Sequence, residues 1–351
     1  MTEVLVVGAG ICGLGAAYEL ARRGADVTVL ERSGVGAVQS AGLARIFRVA
    51  HSTPRLAALA IEARAGWRRW EDELGVGPLL GDEGLVVAGA GGVGRRAEAM
   101  DAVGADWAPL DAAQIAARVP IVGPAPPWES GLWDPAAGVT LVRRTLEALA
   151  ARVTVRIADV ASVDVAGSVV LADGTVLRAD VVLVCAGVDT QPLALGAGID
   201  MELSFFHHVR LTYAGAHVLP SAGLIVAGEG YGLPLGSTGR FAMGLEDPAD
   251  LVPIDAMDID DYVPTVLAQH ASWIPRFLPG LDPQPVDEIR CVSIHAPYLD
   301  ADADGFAARR NGRVVAFGGS NLMKFGPVLG ERLAQTVLDV EGSEVHPDLA
   351  G

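Results

Sequence analysis

The feature that most constrains this chain lies in its first 31 residues. Val4 to Val7 is a short apolar run, as expected of a strand buried on both faces. It leads into Gly8-Ala-Gly10-Ile11-Cys12-Gly13, the spacing of a glycine-rich turn between a strand and a helix. Gly8 permits the tight turn, Gly10 lets the backbone approach a pyrophosphate, and Gly13 lets helix and strand pack closely. The helix is predicted to run to about Arg23, where Gly24 stops it. Its N-terminal amides and dipole suit a diphosphate. Ala25 to Leu30 reads as a second strand ending in Glu31, 18 residues after Gly13. A carboxylate there grips a ribose hydroxyl and repels a 2'-phosphate, which argues against NADP. Glycine spacing alone is weak evidence; strand, helix, second strand and acid in this order identify a dinucleotide site. Cys12 reads as a small filler in the loop.

The rest of the chain bounds the class of protein. At 351 residues, two domains are the natural expectation, and 51% apolar residues supply a large core. A net charge of -17 argues against nucleic acid or an anionic membrane as partner. No run of about 18 apolar residues lacks glycine or charge, so no membrane span is expected. A strand beginning by residue 3 or 4 leaves no room for a signal peptide, and a cytoplasmic enzyme is the expectation. Cys12, Cys185 and Cys291 are too few and too scattered for a disulfide framework or a zinc site.

Several elements can be placed from pattern. Thr53-Pro54 followed by Leu56, Leu59, Ala60, Ala63, Trp67, Trp70 and Leu74 predicts a capped amphipathic helix stopped at Gly75. Residues 75 to 135, rich in Gly and Pro, read as an insertion with short strands such as Gly84 to Ala88. Thr140 is predicted to cap a helix reaching about Ala151. Strands are expected at Val153 to Ile157, Ser168 to Leu171, Ala179 to Cys185, Leu203 to Ala214, Gly239 to Gly244 and Val314 to Phe317. A helix is expected at Asp261 to Ile274. The pattern is a nucleotide domain in three pieces, 1–74, 138–198 and 289–351. A second, substrate-binding domain is built from 75–137 and 199–288.

This discontinuous layout resembles the D-amino-acid-oxidase-like flavoproteins, most of all monomeric sarcosine oxidase and N-methyltryptophan oxidase. The likeness covers nearly the whole chain. It rests on the Gly8 loop and Glu31, and on Ser40-Ala-Gly-Leu-Ala-Arg45-Ile-Phe-Arg48. It rests also on Ala172-Asp-Gly-Thr through Cys185-Ala186-Gly187, on Tyr231-Gly-Leu-Pro-Leu, and on Phe317-Gly-Gly319-Ser-Asn321-Leu-Met-Lys324-Phe-Gly-Pro327. It implies an α/β fold: a Rossmann-type FAD-binding domain, glutathione-reductase-like, with an inserted α+β substrate domain on an antiparallel sheet. The implied cofactor is FAD rather than NAD. Its adenosine half would meet Gly8, Gly10, Ile11, Cys12, Gly13, Glu31 and Arg32. Val160, Ala186 and Gly187, with Gly319 and Asn321, complete the cofactor contacts that the likeness implies.

Three features carry chemistry by this resemblance. Cys291 stands 33 residues before Lys324, the family spacing between a flavin-linked cysteine and a carboxylate-binding lysine, which implies a covalent link. Its structural alternative is a buried cysteine. Arg48 with Lys324 would clamp the carboxylate of a small amino or imino acid, and Arg45 would lie near the flavin ring. An ion-paired or solvated loop is the alternative for both arginines. The helix opened by Gly326-Pro327 would add to Lys324 in stabilising negative charge on reduced flavin. The third feature is a departure: in Arg240-Phe-Ala242-Met-Gly244, Ala242 takes the place of the family's oxygen-activating lysine. Ser293 replaces a tyrosine, and Ser320-Asn321-Leu322 replaces a glycine-histidine-glycine stretch. These leave O2 or an electron carrier open as oxidant, and they point to a specialised, biosynthetic substrate rather than sarcosine. A flavin-binding protein without catalysis and an NAD dehydrogenase are the remaining alternatives. The assembly is expected to be a monomer or small homo-oligomer. His207, His208 and His295 read first as packed or surface residues, and alternation lets at most one of the adjacent pair face a pocket.

Overall fold

The computed structural model describes residues 1–215, 221–245, 251–300, 303–339 and 345–350. The N-terminal strand Glu3–Val7 lies in the interior of a six-stranded sheet. The order is Gly305–Asn311, Val314–Ser320, Val181–Val184, Glu3–Val7, Asp26–Glu31, Thr154–Ile157. Every neighbouring pair is parallel except the edge hairpin Gly305–Asn311 with Val314–Ser320. Strands from three distant parts of the chain therefore meet side by side. Val4, Val6 and Val181 to Val184 are fully buried, because the central strands are covered on both faces. This is the expected α/β class.

The two terminal segments are locked together. Helix Ile11–Arg22, which starts at the glycine loop, packs on helix Gly326–Leu338, which follows Lys324. A Cβ on Gly330 would lie 2.7 Å from the Gly15 carbonyl carbon, so the helices touch backbone to backbone. Helix Pro54–Leu74 covers both. It begins with Thr53 Oγ1 accepting from the Leu56 amide and ends at Gly75 with φ 66°, as its sequence predicts. Its fully buried Trp70 donates to Glu19 at 3.0 Å, and Trp67 donates to the Lys324 carbonyl at 2.9 Å. Truncating a tryptophan buried like this costs about 3–5 kcal/mol.

A second sheet of eight strands runs Leu281–His295, Ser204–Gly215, Arg240–Leu245, Gly230–Pro234, Gly223–Val226, Leu85–Ala88, Ser130–Asp134, Ala108–Asp111. It is antiparallel except where Gly223–Val226 pairs in parallel with Leu85–Ala88. That one parallel junction brings together strands from two separated stretches of the chain. Helix Ile259–Phe277 packs on the sheet through Tyr262, Val263, Val266 and Ile274.

Two local expectations fail. Thr140 does not cap a helix: it belongs to strand Gly138–Leu141, opposite Arg45, and its hydroxyl donates to the Arg45 carbonyl at 3.1 Å. Helix Val142–Ala150 starts after it without a side-chain cap. Pairing with strand Ala44–Phe47 had already drawn Thr140 into extended backbone. That strand also removes the loop alternative for Arg45. Cys291, expected beyond the edge of the substrate portion, lies within Leu281–His295, since that strand continues in register to His295. No helix among the described residues is long and apolar enough to cross a membrane.

Candidate active site

A cleft of about 520 Å³ runs from the glycine loop to the eight-stranded sheet. At the nucleotide end the backbone does most of the shaping. Gly8 has φ 105°, and a Cβ there would lie 2.4 Å from the Cys185 carbonyl oxygen. A Cβ on Gly13 would stand 2.0 Å from the Gly8 carbonyl oxygen, so strand, turn and helix close up only with glycine at both places. The Ile11 amide, at the mouth of the helix, donates to the Ser40 hydroxyl at 3.2 Å, and a Cβ on Gly10 would sit 3.2 Å from that same oxygen.

Glu31 ties the second strand to the loop: Oε2 accepts from the Ala9 amide and Oε1 from the Ser33 amide, both at 2.9 Å. Arg32 lines the cleft and pairs with Asp189 at 3.0 Å. Val160, Ala186 and Gly187 line the same cleft. Gly187 has φ 60°, and a Cβ there would strike Gln39 Oε1 at 2.4 Å. Cys12 also touches the cleft, but burial pushes its thiol up to about 12, which leaves it a neutral filler.

Arg48 and Lys324 come together at the other end, both buried and both on the cleft wall. They share a partner that the sequence reading missed, the buried carboxylate of Asp304. Oδ2 accepts from Arg48 Nη2 and lies 2.9 Å from His51 Nδ1, and Oδ1 accepts from Lys324 Nζ at 3.0 Å. Burial alone would push the Asp304 carboxyl up. Arg48, Lys324 and His51 outweigh it and hold the carboxyl well below the usual range. Burial and the Arg48 charge bring Lys324 down to about 8 in spite of Asp304. Burial brings His51 down to about 3, so its imidazole is neutral. The cluster thus sets two basic side chains on one shared carboxylate at the cleft wall, with Asp300 also acting on Lys324.

Backbone conformation aims Lys324 at this point. Gly319 crosses the edge hairpin so closely that a Cβ would meet the Gly305 carbonyl oxygen at 2.3 Å. Asn321 is left-handed, φ 59°, and enters the turn Leu322–Phe325 that carries Lys324. Helix Gly326–Leu338 follows directly, with Pro327 in its first turn.

A second cation pair lies at the base of the eight-stranded sheet. Arg45 donates to the carbonyls of Gln39, Ala41 and Ala44 at 3.0, 2.6 and 2.9 Å. Arg210 reaches the Ala44 and Ala41 carbonyls at 3.4 and 3.5 Å. Burial and Arg210 push Arg45 down to about 10. Beside them, Cys291 faces His208 across the strand pair. Its Sγ is 3.0 Å from His208 Nδ1, and His208 Nε2 is 3.2 Å from Tyr231 Oη. Burial would raise the Cys291 thiol. The His208 charge and hydrogen bond, with Arg210 and Arg45, outweigh it and bring the thiol down to about 6. Gly244 makes room for the pair: a Cβ there would stand 3.0 Å from Tyr231 Oη and 3.1 Å from His208 Nε2.

Three of the residues that depart from the expected pattern also find places. Ala242 is buried in an apolar cluster with Ala44, Val139 and Leu233, with Ile46 packed against it. Ser293 and Ser320 line the cleft. His207 and His295 touch it too, so both members of the adjacent pair reach the cleft, against the alternation expected, and His207 Nε2 lies 2.8 Å from the Met257 carbonyl oxygen. His208, read as a packed or surface residue, is thus half-buried at the centre of a cluster. The only trace of this in the sequence is a histidine and a cysteine on strands whose pairing cannot be read from sequence.

A glycine loop on a parallel sheet, opening into a cleft that reaches a second sheet, defines a dinucleotide-binding protein. Residues 3–336 match the family described as FAD dependent oxidoreductase, and the chain belongs to that family. It is an enzyme that uses FAD. No curated protein matches it closely enough in sequence to be counted. Among solved structures it is similar in fold to NikD, described as an unusual amino acid oxidase essential for nikkomycin biosynthesis. That match has TM-score 0.82 and 23% identity over 100% of this chain and 98% of that one. Glycine oxidase from Geobacillus kaustophilus matches with TM-score 0.79 and 16% identity over 100% and 98%. L-proline dehydrogenase from P. horikoshii matches with TM-score 0.78 and 16% identity over 97% and 96%.

Proposed function

We propose that this enzyme oxidises the C–N bond of a small amino or imino acid to an imine, with the substrate carboxylate held by Arg48 and Lys324. One observation carries this reading. Arg48 and Lys324 stand together on the cleft wall, held by one shared carboxylate. A substrate carboxylate placed against a guanidinium and an ammonium would make charge-assisted, desolvated contacts. The names of the similar folds, amino acid oxidase, glycine oxidase and proline dehydrogenase, agree with this chemistry.

The chain's residues fit FAD. The glycines of the loop let strand, turn and helix close up, which brings the helix N-terminus to the cleft as a place for a diphosphate. Glu31 would hold the ribose, Arg32, Val160, Ala186 and Gly187 would flank the adenosine half, and Arg45, Gly319 and Asn321 the ring. Lys324 and the N-terminus of helix Gly326–Leu338 would stabilise negative charge on the reduced ring. Cys291 would anchor the cofactor through a thioether. Bound FAD supplies the two-electron acceptor; the protein supplies orientation and charge.

Anaerobic mixing with a panel of amino and imino acids tests the reading. A carboxylated amine should bleach the flavin, and its decarboxylated analogue should not. Lys324→Met should lower kcat/KM for the carboxylated substrate by roughly 100-fold, the loss of one desolvated charge contact of about 3 kcal/mol. No bleaching by any panel member would overturn it.

The apolar surroundings of Ala242 favour a second reading, in which electrons pass to a carrier rather than to O2. Stopped-flow reoxidation decides: fast return of colour with peroxide release excludes the carrier.

A further inference from the structure

Among the described residues, Cys291 is the one thiol with a side-chain base against its sulfur. Cys12 and Cys185 are buried, and burial raises both. Cys291, His208 and Tyr231 form a row, sulfur to Nδ1 at 3.0 Å and Nε2 to phenol oxygen at 3.2 Å, with the two rings stacked at 6.1 Å and 5°. All three line the cleft. Arg45 and Arg210 stand behind the sulfur with several of their donors engaged by backbone carbonyls.

We infer that His208 is the base that removes the Cys291 proton when this sulfur bonds to the flavin, and that Tyr231 is a positioning residue that selects the imidazole tautomer for the transfer. The inference rests on the covalent attachment proposed above. With Tyr231 Oη accepting the Nε2 proton, the Nδ1 lone pair faces Sγ. The thiol proton passes to Nδ1, and the imidazolium then donates to the thiolate on one side and to the phenol oxygen on the other. Overall, a bond forms between Sγ and a methyl carbon of the flavin ring. The S–H bond and one C–H bond of that methyl break. The two electrons and two protons go to dioxygen, giving hydrogen peroxide.

The charged groups around the row favour this direction. From strand Ser204–Gly215 come His208 and Arg210, from strand Ala44–Phe47 comes Arg45, and from strand Gly230–Pro234 comes Tyr231. His270, whose titration senses His208, is kept neutral by burial and brought down to about 4. Among the described residues the groups that lower the Cys291 thiol most are His208, Arg210 and Arg45, so a thiolate there would face two guanidiniums.

Two readouts on the full-length chain, prepared without flavin, test the inference. The first is the rate of Cys291 alkylation by iodoacetamide against pH, followed by intact mass, with Cys291→Ser as blank. The wild-type midpoint should lie near 6 and that of His208→Asn about two units higher, toward the free-cysteine range. Tyr231→Phe should raise it by less. The midpoint is the measure because a thiolate of lower pKa is intrinsically less nucleophilic, so rates at one pH partly cancel. The second readout is acid-stable flavin on the polypeptide after FAD is added in air. His208→Asn should bind FAD yet attach it at least tenfold more slowly than wild type. An unchanged midpoint in His208→Asn, or wild-type attachment by that variant, overturns the inference. Wild-type flavin released wholly by acid refutes the covalent attachment instead, and the alkylation profile still judges whether His208 takes the proton. If His208→Asn fails to fold, Tyr231→Phe decides: a midpoint and attachment rate both equal to wild type refute the tautomer role.

Discussion

Two pairs of cations lie beside the same short strand, and they differ in what balances them. Arg48 and Lys324 close on an internal carboxylate, Asp304, that is fixed by the fold. Arg45 and Arg210 close on backbone carbonyls and have a titratable thiol beside them. The first has a counter-ion that stays ionised across neutral pH. The second has beside it a group that becomes an anion by moving one proton. A permanent counter-ion suits holding a ligand; a conditional one suits bond formation.

The hardest test of the contrast is Asp304→Ala. It strands two buried cations and should destabilise the fold by about 3–5 kcal/mol in urea unfolding. A loss below 1 kcal/mol would show that the network is not closed on this residue. Acid is the next largest perturbation. His51 stays neutral in the fold down to about 3, while in the unfolded chain it takes a proton near 6.5. Between those values the unfolded state binds more protons, so stability is complete above pH about 6.5 and falls as pH drops toward 3. The slope should be up to about 1.4 kcal/mol per pH unit, seen in urea midpoints, and His51→Asn should flatten it. Arg210→Met should cost only about 1 kcal/mol, because Arg45 keeps the shared carbonyls, while it raises the Cys291 midpoint. The mildest effect on the site belongs to Trp67→Phe. It removes the donor to the Lys324 carbonyl and part of a fully buried ring, about 1–3 kcal/mol, and should raise KM for the carboxylated substrate more than it lowers kcat.

The same division marks what could be read in advance. Glycines at 8 and 13, the capped helix from Thr53 and the strand at Val181 are local statements: a forced φ, a helical period, a double-faced apolar run. All appear in the fold. Arg45 and Arg48 stand out in the sequence, yet the strand Ala44–Phe47 that carries Arg45 does not, because its four residues are too few for a period to show. Asp304 was missed because nothing in a run of alternating acids says which one turns inward; the edge hairpin decides that by placing Asp304 next to Gly305. Thr140 misled because its sequence offers a helix cap and only the partner strand overrides it.

By itself, then, the sequence determined a dinucleotide-binding sheet and the residue types of the site, since backbone freedom and hydrophobic period act within a few residues. Only the tertiary structure decided which charges meet. His208 and Cys291 are 83 residues apart, and a one-residue slip between their strands would turn the imidazole to the other face. Asp304 and Arg48 are 256 apart. Coulomb energy and hydrogen bonding depend on ångströms in space, which sequence distance does not encode.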